Sequence, residues 1–177
     1  VRMEITSAGD FNMFGNYSLQ EGDYLFTAFG IVNKRFNLKQ GSTIKWNGDP
    51  YDAKMGIQAA YQVQASPQPL IPESSREDNS YGQKIPVEAQ LFMSGSMFSP
   101  DMQLDFQLKD ESNRTGNVSI LNSQIRKIKN DEQALNQQVV SLLVMNRFYP
   151  VETSQFQAGQ ALESSSNSMV GDLISNQ

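Results

Sequence analysis

The chain has 177 residues, 38% hydrophobic and 19% charged, with a net charge of −5, enough for one domain whose core needs no metal or disulfide staples. That acidic balance lacks the clustered Lys and Arg that a phosphate backbone requires, so no nucleic acid is expected as a partner. With no Cys and no His, the sequence offers no disulfide, no thiolate nucleophile, no imidazole base or ligand and no Ser-His-Asp triad.

Alternation with period two dominates from the start, the mark of strands with one buried face. Val1, Met3 and Ile5 alternate with Arg2, Glu4 and Thr6. The chain opens inside this run, as expected of a piece cut from a longer protein. Phe11, Met13, Tyr17 and Leu19 continue the pattern against Asn12, Asn16, Ser18 and Gln20, with Phe14 out of phase. The stretch from Tyr24 to Val32 is apolar on both faces and predicts a strand covered on both sides. Phe26, Phe29, Phe36, Trp46, Tyr51 and Tyr61 are all expected on strands. Turn signals separate the runs at Gly9-Asp10, Glu21-Gly22-Asp23, Gln40-Gly41 and Asn47-Gly48-Asp49-Pro50, and short turns between long strands predict antiparallel meanders.

The clearest run lies between Tyr51 and Val63, where Tyr51, Ala53, Met55, Ile57, Ala59, Tyr61 and Val63 fill every second position. At about 3.3 Å per residue it predicts a strand of roughly 43 Å. From Ala65 to Pro86, four prolines among Ser, Glu, Asp and Asn predict a long, polar, mobile loop. Alternation returns in Val87, Ala89, Leu91 and Met93, with Phe92 out of phase, and in Met102, Leu104, Phe106 and Leu108. Asp110 to Asn113 end that strand.

Beyond it the period changes to that of helices. Ile120, Leu121, Ile125 and Ile128 suit a short helix over Val118 to Ile128. Asn130 before Asp131 and Glu132 signals a second helix start. Leu135, Val139, Leu142 and Met145 then follow at helical spacing, and the helix should stop before Pro150. Its run Val139 to Met145 is too apolar for one stripe and predicts contact with the sheet as a cap formed by Leu135, Val139 and Leu142. From Gln157 the tail is rich in Ser and Gln, with only a weak amphipathic pattern through Ala161, Leu162, Met169, Val170, Leu173 and Ile174. The expected organisation is mainly β: a sheet domain over 1–110 including the 65–86 loop, a helical cap over 111–150 and a weakly structured tail over 151–177.

Little here suggests catalysis. Asp101, Asp105, Asp110 and Glu111 supply carboxylates, but no pattern pairs them with a base or a pocket. Asn47, Asp49 and Asp52 fit a turn better than a calcium loop, and the glycines form no phosphate-binding motif. No metal and no cofactor is expected. Arg126, Lys127 and Lys129 form the one dense basic cluster and read as a solvated helix face. What remains is the evenly apolar faces of long strands. They line either an open groove for an acyl chain or a partner strand, or the filled core of a closed β-sandwich that serves as an adhesion or carbohydrate-binding module. In the groove reading the lining is Tyr51, Met55, Ile57, Tyr61, Leu91, Leu104 and Phe106.

An ordered set of segments resembles the carboxyl-terminal domain of the TamB family (translocation and assembly module proteins), in a form similar to those of Bacteroidota. It comprises Gly22-Asp23-Tyr24-Leu25-Phe26, Asn33-Lys34-Arg35-Phe36, Gln40 to Pro50 and the alternating strand Tyr51 to Val63. Ile85-Pro86-Val87 follows, with Leu91, Gly95, Pro100 and Phe106, then Asn136 to Leu143 and Asn146-Arg147-Phe148. The resemblance implies a β-taco, a long antiparallel curled sheet around an apolar groove, without enzymatic activity. It also implies a periplasmic location in an inner-membrane-anchored parent and a partner of the Omp85 class, a TamA-like outer-membrane barrel. The implied cargo is acyl chains or unfolded β-strands, in outer-membrane protein assembly, phospholipid transport between the membranes, or both.

Overall fold

The computed structural model describes residues 1–28, 30–76, 82–109 and 118–151. Among them are eight strands, all in one sheet and all antiparallel. They are β1 (Arg2–Ile5), β2 (Phe11–Ser18), β3 (Asp23–Ala28), β4 (Val32–Leu38), β5 (Thr43–Gly48), β6 (Lys54–Ala65), β7 (Ile85–Ser96) and β8 (Ser99–Leu108). Two helices follow, α1 (Val118–Lys129) and α2 (Glu132–Met145).

The connections are not a simple meander. β6 pairs with β7 along its whole length, from Lys54–Ser96 to Ala65–Ile85. Its other edge is shared. β5 takes the first residues, at Thr43–Gly56, Ile44–Met55 and Lys45–Lys54, and β4 takes Ala59 and Ala60 further along. The sheet therefore forks into a β5-β2-β1 wing and a β4-β3 wing. Ser42 fills the gap at the fork: it is buried, and its hydroxyl bonds both the N–H and the carbonyl of Gln58 at 3.0 and 3.2 Å. The Lys39 N–H reaches the same Gln58 carbonyl at 2.7 Å.

Because each strand keeps its phase, the register collects one apolar face. Val63, Val87 and Leu108 lie side by side, as do Ala59, Leu91 and Leu104, and Phe36 lies beside Tyr24. α2 packs over β8 and reaches β4, β6 and β7, while α1 lies against α2. Phe36, Leu91, Phe106, Val139, Leu142, Leu143 and Phe148 are sealed between the two layers. The sheet curls without closing, and among the described residues β1, β3 and β8 each have a single neighbour. The closed sandwich is thereby excluded.

Asp131 caps α2, its Oδ1 accepting from the N–H groups of Gln133 and Ala134 at 3.0 and 3.1 Å. At the other end Asn146 adopts the left-handed conformation at φ 53° and turns the chain back. The returning segment then runs along the helix. Gln138 donates to the Tyr149 carbonyl and accepts from its N–H, both at 2.8 Å, and the Ser141 hydroxyl donates to the Arg147 carbonyl at 2.7 Å. These two buried polar side chains take the place of a strand partner. They set Phe148 edge-on to Phe106, with ring centroids 5.3 Å apart.

Three expectations are corrected. The long strand begins at Lys54, because Asp49 caps a 3-10 turn over Pro50–Asp52 and its carboxylate takes the Tyr51 N–H at 2.8 Å. The stretch from Tyr24 to Val32 is not one strand covered twice; it is the end of a β3-β4 hairpin, with Leu25 and Ile31 open to solvent. The start of the segment after Ala65 is not a polar surface loop. Its 3-10 turn Gln68–Leu70 packs against α1, and Leu70 and Ile71 are fully buried. Phe29, Asp110 to Asn113 and the tail pattern from Ala161 lie outside the described residues.

Candidate functional site

The apolar face has two halves that differ in what covers them. Under the helices it is a filled core. Of the seven residues expected to line a groove, Ile57, Leu91 and Phe106 belong to this core, and Tyr61 and Leu104 are packed against it. Met55 sits at its margin, partly buried where β5 joins β6. Tyr51 stands apart on the 3-10 turn and is 75% exposed. The seven do not form one continuous lining. Val139 and Leu142 are fully buried under the sheet face, with Leu135 partly buried beside them.

Over the β5-β2-β1 wing the same face lies open. Direct pairs place Met3 beside Met13, Ile5 beside Phe11 and Tyr17 beside Ile44, all in phase with Met55. Val1, Met3, Ile5, Phe11 and Tyr17 are exposed. Isolated apolar residues on a surface carry no message, but a contiguous set on one sheet face marks an interaction surface.

At one end of this face lies an open cavity of about 760 Å³, within the range of small-molecule sites. Four parts of the fold build it. β2 brings Phe11 and Met13, β5 brings Trp46, and the 3-10 turn and the β7-β8 turn bring Tyr51 and Phe98, whose rings meet at 5.9 Å. Phe98 and its neighbour Met97 escaped the sequence reading because they fall between strands. Two large apolar residues in the turn Ser96-Met97-Phe98-Ser99, where polar ones are usual, were the available signal.

The opposite face of the sheet is polar and carries one buried charge. Glu88 on β7 is almost fully covered. Lys39 reaches its Oε2 at 2.9 Å and Lys109 at 3.1 Å, while Gln90 donates to Oε1 at 2.9 Å. Burial alone would raise the Glu88 pKa. The hydrogen bonds from Gln90, Lys39 and Lys109 outweigh it and hold the carboxyl below its ordinary range. Fully paired, this group joins the corner after β4 to β7 and to the end of β8. Asp105 is likewise engaged, by Lys129 at 2.8 Å, and Arg126 and Lys127 point to solvent. Among the described residues no group of three or more potential metal ligands comes together, and no helix is long and apolar enough to cross a membrane.

A family model described as the TamB C-terminal domain matches residues 1–177. Neither the curated proteins nor the solved structures yielded a significant match.

Proposed function

The chain belongs to the TamB C-terminal domain family, and from that premise we propose that its open apolar face is a non-enzymatic binding surface for acyl chains. Membership places the chain in the TamB system of outer-membrane assembly and lipid transport in general, as an envelope-associated protein working with outer-membrane assembly machinery. The finer reading adds a periplasmic location, a TamA-like barrel of the Omp85 class as the partner and an apolar groove as the working surface.

One observation carries this reading: the apolar face continues past the helix-covered core onto strands β5, β2 and β1, where its side chains meet solvent beside a cavity. Burying such side chains in a ligand yields about 25 cal/mol per Å² of apolar area, and flexible methionines such as Met3 and Met13 adapt to apolar partners of varied shape. Met55, at the margin of the core, joins the open face to the rest of the expected lining. A second cargo, an extended unfolded β-strand, is favoured by β1, whose outer edge has no pairing strand among the described residues.

The neutral apolar dye N-phenyl-1-naphthylamine tests the reading. It should brighten on binding, and long-chain phospholipid should displace it. Met13→Glu, on the open wing, should abolish the signal and leave the thermal melt unchanged. Dye binding untouched by Met13→Glu would refute this location for the groove.

A further inference from the structure

The cavity at the end of the open face has a chemistry of its own. Four aromatic residues, Phe11, Trp46, Tyr51 and Phe98, contribute to its wall, and two carboxylates, Asp10 and Asp49, share it. Neither acid is spent on a cation. Asp10 holds the Thr6 hydroxyl through Oδ2 at 3.2 Å, and Asp49 holds the Tyr51 N–H through Oδ1 at 2.8 Å. The other oxygen of each has no partner among the described residues.

The lining contains no Lys or Arg. The wing's own cations are kept away by register: Arg2 pairs with Phe14, and Lys45 pairs with Asn16 and Lys54, all out of phase with Met13 and Trp46. An anion entering the cavity would meet only like charge. An organic cation would meet aromatic rings and carboxylates, the combination that recognises alkylammonium groups. Beside the cavity, Ile5 pairs with Phe11 and Met3 with Met13, so an apolar chain attached to that cation has a surface on which to lie.

We infer that this cavity binds the ammonium headgroup of an amphiphile whose chain lies along the open face of β1 and β2. The inference rests on the proposal that this face takes up acyl chains, and adds the sign and chemistry of the headgroup.

Trp46 is the single tryptophan of the chain, so its fluorescence reports occupancy directly. Three probes of equal length, octyltrimethylammonium, octanol and octanoate, are titrated below their micellar concentrations. The ammonium probe should bind about tenfold tighter than the alcohol, and the carboxylate weakest. The double substitution Asp10→Asn, Asp49→Asn keeps the turn cap, because Asn also caps, and should bring the ammonium probe down to the level of the alcohol. Asp52→Asn, an acid of the same turn outside the lining, should change nothing, which separates a local site from attraction to the net negative chain. Equal binding of all three probes would overturn the headgroup inference and leave the acyl-chain reading standing. Failure of all three to bind would sink both. Preference for the ammonium probe that survives the double substitution would also overturn the inference. So would equally tight binding of a lysine peptide with no alkyl chain, which would assign the site to protein.

Discussion

Leu142→Ala tests whether the helical layer holds the fold together or only rests on it. Leu142 is fully buried on α2, in the same core cluster as Leu91, Phe106 and Phe148. Truncation removes three carbons, and at about 0.8 kcal/mol for each the transfer term is about 2.4 kcal/mol. α2 has little freedom to close the gap. It is capped at one end by Asp131 and held along its length by the Gln138–Tyr149 and Ser141–Arg147 bonds. The cavity term therefore adds to the transfer term, and the total loss should be about 3–4 kcal/mol. A domain of this size loses roughly 2–4 °C per kcal/mol, so the melt should fall by about 6–16 °C. Thermal and urea unfolding followed by circular dichroism measure both quantities. Val144→Ala, on the exposed side of the same helix, is the control and should change stability by less than about 0.5 kcal/mol. A Leu142→Ala loss below about 1 kcal/mol would refute the reasoning. It would mean that this helix face serves a partner and not the core.

Three further outcomes are expected. The Glu88 pKa is lowered in the folded protein, so its contribution is complete above the unfolded value of about 4.3 and is lost as the pH falls through the folded one. Urea titrations between pH 3 and 7 should show this loss, and Glu88→Gln should cost about 1–3 kcal/mol at pH 7 and flatten the acid limb; an unchanged limb would assign it to other carboxylates. Asp131→Ala should cost about 0.5–2 kcal/mol by removing the α2 cap, read in the same titration, with Asp131→Asn close to neutral. Ile57→Asp places a charge inside the core cluster and should cost several kcal/mol, leaving a chain with no cooperative melt; a preserved melt would show that this position faces an open groove after all.

Much of this architecture is legible in the residues because strand phase is a local property. Alternation around Ile57, Leu91 and Phe106 names the buried face whatever the strand order, and Asp131 marks the start of α2 through its own side chain. Strand order is not local. Nothing in β4 or β5 announces that both will share one edge of β6, since that depends on a hydroxyl, that of Ser42, meeting the backbone of Gln58 from a distant part of the chain. The same limit applies to the site. The wall of the cavity joins β2, β5 and two turns, and aromatic residues such as Trp46 and Phe98 look alike in sequence whether they fill a core or face a ligand. Leu70 and Ile71 were hidden by their neighbours: prolines and polar residues surround an apolar pair that enters the core.

The forked sheet has a mechanical consequence. Strands β6, β7 and β8 are joined by long continuous ladders, whereas the β5-β2-β1 wing is fastened to β6 through Thr43–Gly56, Ile44–Met55, Lys45–Lys54 and the Ser42 corner. A load applied at β1 across the strands would concentrate on that short seam. The wing would peel away as one piece while the helix-backed strands kept their pairing. Tension on the wing would then alter the open face before it threatened the core, so the molecule carries a short joint next to the surface proposed to bind.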